Sequence, residues 1–291
     1  MRAMSEKAAE SRTEFPATDG YPLGATLFEP VHPMRGVVLI ASATAVPQGY
    51  YAKFARYLAA KGFRVVTFDY RGIGRSKPKN GLRGFPARMR DWAALDLAAA
   101  VDYADTLTDG KPLLYVGHSF GGQALGLLPN NHKISRAFFA ASQIGYWRLF
   151  PSPEKYRVWF MLRMLGPALY TVFGYVPGKV GMGEDLPKGV FREWAGWCMK
   201  PRYLYDDETL DARKNFPNYR GALRAVGMSD DDWAPPATVA GLLAGYTGTT
   251  PEHITVTPEA AGQKKIGHFG YFREPSREPL WREAAEWLAR D

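Results

Sequence analysis

A serine hydroxyl is a poor nucleophile at neutral pH unless a base stands within hydrogen-bonding reach and a third group orients that base. This chain carries all three residue types at suggestive positions. Ser119 sits in Gly117-His118-Ser119-Phe120-Gly121, with the strand-like run 111–116 before it and the helix-like run 122–128 after it. Between strand and helix, G-x-S-x-G forms a tight turn that projects the serine above a sheet. A side chain at position 117 or 121 would strike the neighbouring strand or helix. The chain has five histidines. His118 adjoins the serine, but neighbours in so tight a turn point apart, so it reads as structural. His32 and His132 fall in polar, loop-like segments, and His253 opens a strand. His268 lies beyond the final strand, in Ile266-Gly267-His268-Phe269-Gly270, where a sheet-end loop can bring an imidazole over Ser119. It is the candidate base. The candidate acid lies in Gly227-Met228-Ser229-Asp230-Asp231-Asp232-Trp233-Ala234-Pro235, directly after a strand. Adjacent carboxylates repel and usually form a solvated turn, but at a strand end facing a histidine one serves to stabilise imidazolium. The order Ser119, Asp231, His268 is that of one class of serine hydrolase.

The elements that must position these residues alternate. Residues 13–18 and 23–28 read as a hairpin turning at Asp19-Gly20. The continuous apolar run 36–41 reads as a strand covered on both faces. Tyr51, Phe54, Ala55 and Leu58 share one helical face, and Gly62 stands where that helix should stop. A strand at 63–69, a helix around 89–107, the strand into Ser119 and a strand at 136–141 follow. The pattern breaks over 143–218, which is rich in Trp, Tyr and Phe, and resumes with strands at 223–227 and 253–256 and an amphipathic helix at 280–288. Such alternation implies a mainly parallel sheet. The expected organisation is a core domain of residues 1–142 and 219–291, with 143–218 inserted as a lid.

Composition narrows the function. The 291 residues suit one α/β domain with an insertion, and the lone Cys198 excludes an intrachain disulfide or a cysteine-based metal cluster. The net charge of +8 reads as a basic solvated surface, because Lys and Arg are scattered among acids without an aromatic-interleaved stripe for nucleic acid. No metal and no cofactor is expected: H-E-x-x-H is missing, and Gly72-Ile73-Gly74-Arg75-Ser76 lacks the third glycine of a dinucleotide loop. The polar N-terminus, Met1 to Arg12, is unlike a secretory signal, so a cytoplasmic protein is expected. The longest apolar stretch, Val158 to Pro177, is interrupted by Arg163 and Pro167. It reads as an amphipathic lid helix without stable membrane insertion, and leaves open whether its face rests on lipid or on an acyl chain.

A second motif strengthens the first. Asp69-Tyr70-Arg71-Gly72-Ile73-Gly74-Arg75-Ser76 matches the D-x-R-G-x-G-x-S segment of α/β-hydrolases, which the chain resembles from about residue 13 to its end. It is most similar to poorly characterised bacterial esterase- and lysophospholipase-like serine hydrolases. The resemblance implies the α/β-hydrolase fold: a mainly parallel twisted sheet, helices on both faces and an inserted aromatic-rich helical lid. It also implies cleavage of a carboxylic ester or thioester with a hydrophobic portion, a small-molecule acyl substrate, through Ser119, His268 and Asp231 and an acyl-enzyme. The family's D-x-x-x-P spacing to Pro235 selects Asp231, whereas its G-x-x-D spacing from Gly227 selects Asp230. An oxyanion hole is expected from the backbone N–H of Phe120 and that of Thr44 or Ala45. There the chain departs from the family, reading Ala41-Ser42-Ala43-Thr44-Ala45 where many members carry His-Gly. The alternatives are an acyltransferase or peptidase with the same nucleophile, or a binding protein that retains the fold.

Overall fold

The computed structural model describes residues 8–181 and 183–290. Residues 1–7 of the polar N-terminal stretch lie outside the described residues. Ten strands occur among the described residues: β1 Glu10–Pro16, β2 Pro22–Phe28, β3 Gly36–Ala41, β4 Phe63–Phe68, β5 Leu113–His118, β6 Ile134–Ala140, β7 Tyr175–Val176, β8 Leu186–Pro187, β9 Ala222–Met228 and β10 Glu252–Val256. Eight form one sheet in the order β1-β2-β4-β3-β5-β6-β9-β10, while β7 and β8 pair separately. The hairpin β1-β2 and the β2-β4 contact are antiparallel, and every other pairing in the large sheet is parallel. The chain is an α/β-hydrolase by architecture.

Side-chain periodicity explains the layers. Along β3, Val37, Leu39 and Ala41 enter one core with Tyr115, Trp92 and Phe139. Val38 and Ile40 enter the other, with Phe54, Phe138, Trp281 and Trp287. Alternate residues thus face opposite layers of helices, and all six positions of β3 are buried. Helix Ala52–Ala60 ends as its sequence requires, with Gly62 at φ +91° turning the chain into β4.

From β3 the chain goes first to β4 on one side, then crosses to β5 on the other. This reversal opens a crevice at the carboxyl ends of β3 and β5, the usual site for ligands in such sheets. Ser119 immediately follows β5, residues 42–48 follow β3, and Asp230 and Asp231 follow β9. His268 differs slightly from the expected loop position: it lies in a one-turn helix, Gly267–Gly270. Between β6 and β9 the chain inserts helical residues 154–173, the small β7-β8 ladder and helix Lys188–Cys198. Among the described residues, no helix is long and apolar enough to cross a membrane.

Candidate active site

The turn around Ser119 is built by exclusion. A Cβ on Gly117 would sit 2.5 Å from the Gly122 nitrogen, and one on Gly121 would sit 2.2 Å from the Ala41 carbonyl oxygen. With those side chains absent, Ser119 is held at φ +51°, ψ −112°, directly before helix Phe120–Leu125. A non-glycine residue at positive φ is strained by about 1–3 kcal/mol. The surroundings over-determine it: the Ser119 N–H bonds to the Ala140 carbonyl (3.1 Å), and its own carbonyl receives Gly122 N–H (3.0 Å).

Three distant side chains converge there. His268 Nε2 lies 3.0 Å from Ser119 Oγ, and His268 Nδ1 lies 2.8 Å from Asp231 Oδ2. Because the carboxylate only accepts, the proton of neutral His268 belongs on Nδ1, which leaves Nε2 free to accept from the serine. The second carboxylate oxygen of Asp231 accepts the Trp233 and Ala234 N–H groups, at 2.9 and 3.2 Å. These bonds fix the orientation of a carboxylate that is itself buried.

The neighbouring Asp230 takes a different position. Its carboxylate accepts the Ile266 N–H (2.8 Å) and the Gly267 N–H (2.9 Å). It therefore clamps the backbone of the segment bearing His268. The two spacing rules of the sequence thus select adjacent carboxylates, one on the imidazole and one on its backbone.

Phe120 is the first residue of its helix, so its N–H has no carbonyl four residues earlier to bond within that helix. Across the crevice, Thr44 lines the same cavity as Ser119 and His268. Ala45 is fully buried at φ +59°, and its carbonyl accepts the Glu184 N–H (2.9 Å).

Several positioning residues were not evident in the sequence. The Tyr51 hydroxyl accepts the Ala43 N–H (2.9 Å) and donates to His118 Nδ1 (2.7 Å), while His118 Nε2 donates to the His268 carbonyl (2.9 Å). A continuous hydrogen-bonded chain therefore joins the loop after β3 to the backbone of the imidazole. Both side chains are fully buried. Burial pushes the His118 pKa down to about 3, so the ring is neutral. Asp69, from the second motif, accepts the backbone and side-chain N–H groups of Gln48 (2.7 Å each) and the Arg75 N–H (3.0 Å). It anchors the far end of the same loop, and its own burial raises its pKa. The sequence signal for Tyr51 was only its place on the buried face of a helix. For Gln48 there was none.

The cavity beside Ser119 measures about 80 Å³, and Phe150, Val158, Trp194, Cys198 and Trp233 form its apolar walls. Phe150, Val158, Trp194 and Cys198 come from the insertion. Burial pushes the Cys198 thiol far up, so Cys198 is an apolar wall residue and not a second nucleophile. The Trp233 ring nitrogen donates to Glu154 (3.0 Å), tying the acid loop to the first turn of the insertion's long helix.

A family model described as serine aminopeptidase, S33, matches residues 32–192. No curated protein matches the chain in sequence. Among solved structures, it is similar to a soluble variant of monoglyceride lipase from Saccharomyces cerevisiae in complex with a substrate analogue (14% identity, TM-score 0.67, covering 99% of this chain and 97% of that one). It is also similar to a highly thermostable carboxyl esterase from Bacillus coagulans in complex with glycerol (11%, TM-score 0.66, 97% and 99%). A third is the esterase domain of a Rhodothermus marinus protein (17%, TM-score 0.60, 97% and 98%). At these identities the likeness concerns the fold.

Proposed function

The chain belongs to the serine aminopeptidase S33 family of α/β-hydrolases, and from that premise we propose that it cleaves small carboxylic esters or thioesters by acyl transfer through Ser119. His268 Nε2 removes the Ser119 proton as Oγ attacks the carbonyl carbon. Asp231 stabilises the imidazolium that results. The N–H of Phe120 and that of Thr44 or Ala45 receive the developing oxyanion. The imidazolium then protonates the leaving alcohol or thiol as the tetrahedral intermediate collapses to an acyl-enzyme. Water, deprotonated by the same imidazole, releases the acid and regenerates Ser119.

The unbroken Ser119–His268–Asp231 relay, at 3.0 and 2.8 Å, carries this reading. The cavity supports an ester over a peptide with a free amino terminus. An α-ammonium group held in such a pocket needs an acidic partner, and among the described residues the cavity lining holds no Asp or Glu. Its walls Phe150, Val158, Trp194 and Trp233 are apolar and suit the hydrophobic portion of an ester. The insertion that supplies four of its walls acts as a lid. Hydrolysis of p-nitrophenyl butanoate, together with labelling by a fluorophosphonate, tests the proposal. Ser119→Ala should lower kcat by at least about 10³-fold and abolish labelling without changing the fold. A correctly folded wild-type protein that neither labels nor turns over esters would refute the reading.

A further inference from the structure

The insertion's long helix is apolar on two faces, and only one of them is explained by packing. Residues 154–173 are helical throughout, which gives a length of about 30 Å. Val158, Leu162 and Gly166 point inward and are buried, and Val158 forms part of the roof over the Ser119 cavity. The rest of the helix surface carries Tyr156, Trp159, Phe160, Met164, Val172 and Phe173, all exposed, with Phe160 at 53% and Val172 at 65%. Seven of the eight large exposed hydrophobics among the described residues lie between 149 and 173. So many large apolar side chains exposed along a helix that already has its inward contacts mark a surface that meets something else.

Charge identifies what that is. Residues 146–181 contain Arg148, Lys155, Arg157, Arg163 and Lys179 against the single acid Glu154, which accepts a hydrogen bond from Trp233 and pairs with Arg157 at 3.6 Å, so the basic excess remains. Arg148, Arg157, Arg163 and Lys179 are exposed. Aromatic and aliphatic groups projecting from a basic helix are suited to the boundary between lipid headgroups and acyl chains, where the rings enter the boundary and long cations reach the phosphates. The face is a convex helix surface and not a cleft, which disfavours a small ligand. A second copy would set basic surface against basic surface in a chain of net charge +8. We infer that the outer face of helix 154–173 docks reversibly, without spanning, on an anionic phospholipid surface, with the roof of the Ser119 cavity lying directly behind it.

The test is cosedimentation of the full chain with two sets of vesicles, pure phosphatidylcholine and phosphatidylcholine containing about three parts in ten of phosphatidylglycerol. Binding to the anionic vesicles should be at least about tenfold tighter. Two variant pairs change the net charge equally, from +8 to +4: Arg157→Glu/Arg163→Glu on this face, and Lys61→Glu/Lys111→Glu, exposed beside the amino ends of β4 and β5. The first pair should lose at least about tenfold in affinity, and the second should stay within about threefold of wild type. Phe160→Asp/Val172→Asp should also lose vesicle binding while retaining hydrolysis of soluble p-nitrophenyl butanoate or, if the protein proves to lack esterase activity, the wild-type unfolding midpoint. Equal losses for the two charge pairs would mean non-specific adsorption and would overturn the proposal. So would no vesicle binding at all, or a solution dimer that the Phe160/Val172 variant separates. None of these outcomes depends on Ser119, so the inference can fail or stand apart from the catalytic proposal.

Discussion

His118 makes a quantitative demand on how stability changes with pH. Its native pKa is pushed by burial from 6.5 to about 3, so the folded protein keeps it neutral where an unfolded chain would protonate it. Above pH 6.5 neither state binds the proton, and the full stabilisation is present. As pH falls through 6.5 the unfolded state gains a proton that the native state refuses, and stability declines until the pH reaches about 3. The slope approaches ~1.4 kcal/mol per pH unit, so moving from about pH 7.5 to about pH 5.0 should remove roughly 2 kcal/mol. Ordinary carboxylates titrate below that window, but Asp96, whose pKa burial raises to about 7, titrates within it with the opposite sign. His253, whose pKa burial also lowers, contributes with the same sign as His118, so the measurement must be a difference between proteins. Denaturant unfolding of wild type and His118→Gln at both pH values isolates the term. The variant will be less stable at either pH, because the partners left by the imidazole lose well-formed bonds, but its loss between the two pH values should be smaller by about 2 kcal/mol. If both proteins lose the same amount, His118 is protonated in the native state. The tautomer and the hydrogen-bonded chain through Tyr51 would then be wrong.

The two adjacent aspartates should separate by readout. Asp231→Asn should reduce kcat for an ester by about 10⁴-fold, since the amide favours the wrong imidazole tautomer. Its two backbone N–H partners share a single oxygen that an amide retains, so stability should fall less than in Asp230→Asn. Asp230→Asn should instead cost about 1.5–3 kcal/mol of stability, because its two oxygens each accept one backbone N–H and an amide keeps only one of those acceptors, while kcat falls far less; the reverse pattern would exchange the two roles. Gly121→Ala should destabilise by about 3 kcal/mol or fail to fold, given the 2.2 Å approach of its Cβ to the Ala41 carbonyl. A normal melting temperature for that variant would contradict the close approach of the helix to β3.

What could be read beforehand depended on whether a pattern was local. Hydrophobic alternation and the position of Gly62 placed β3, the helix after it and β4 within a residue or two, because each follows from its own burial period. Ser119 was legible for the same reason: its glycines are demanded by clashes with segments adjacent in sequence or in the sheet. Asp230 and Asp231 could not be separated by position, since a one-residue difference in a turn sends one carboxylate to the ring and the other to the backbone. Nor could the insertion's fifteen aromatics be sorted. Trp197 and Tyr203 are fully buried, whereas Trp159 and Phe160 are exposed. That division is set by tertiary contacts such as Phe191 against Gly166, which leave no periodic trace.

The loop after β3 shows how surrounding contacts can hold a strained backbone where no glycine stands. Without glycine, Ala45 adopts φ +59°, a conformation that costs an L-residue roughly 1–2 kcal/mol. Four contacts pin the loop around it: Ala43 N–H on Tyr51, Val46 N–H on the Ala43 carbonyl, Gln48 on Asp69 and the Ala45 carbonyl on Glu184. At about 0.5–1.5 kcal/mol each, and more where Asp69 is the acceptor, their sum exceeds the strain. Three of these contacts lie in the core, and the fourth comes from the insertion. The backbone proposed to hold the oxyanion is therefore stabilised partly by the segment that roofs the cavity. Weakening the Glu184 contact should loosen transition-state binding before it disturbs ground-state binding, a split that kcat at unchanged KM would register.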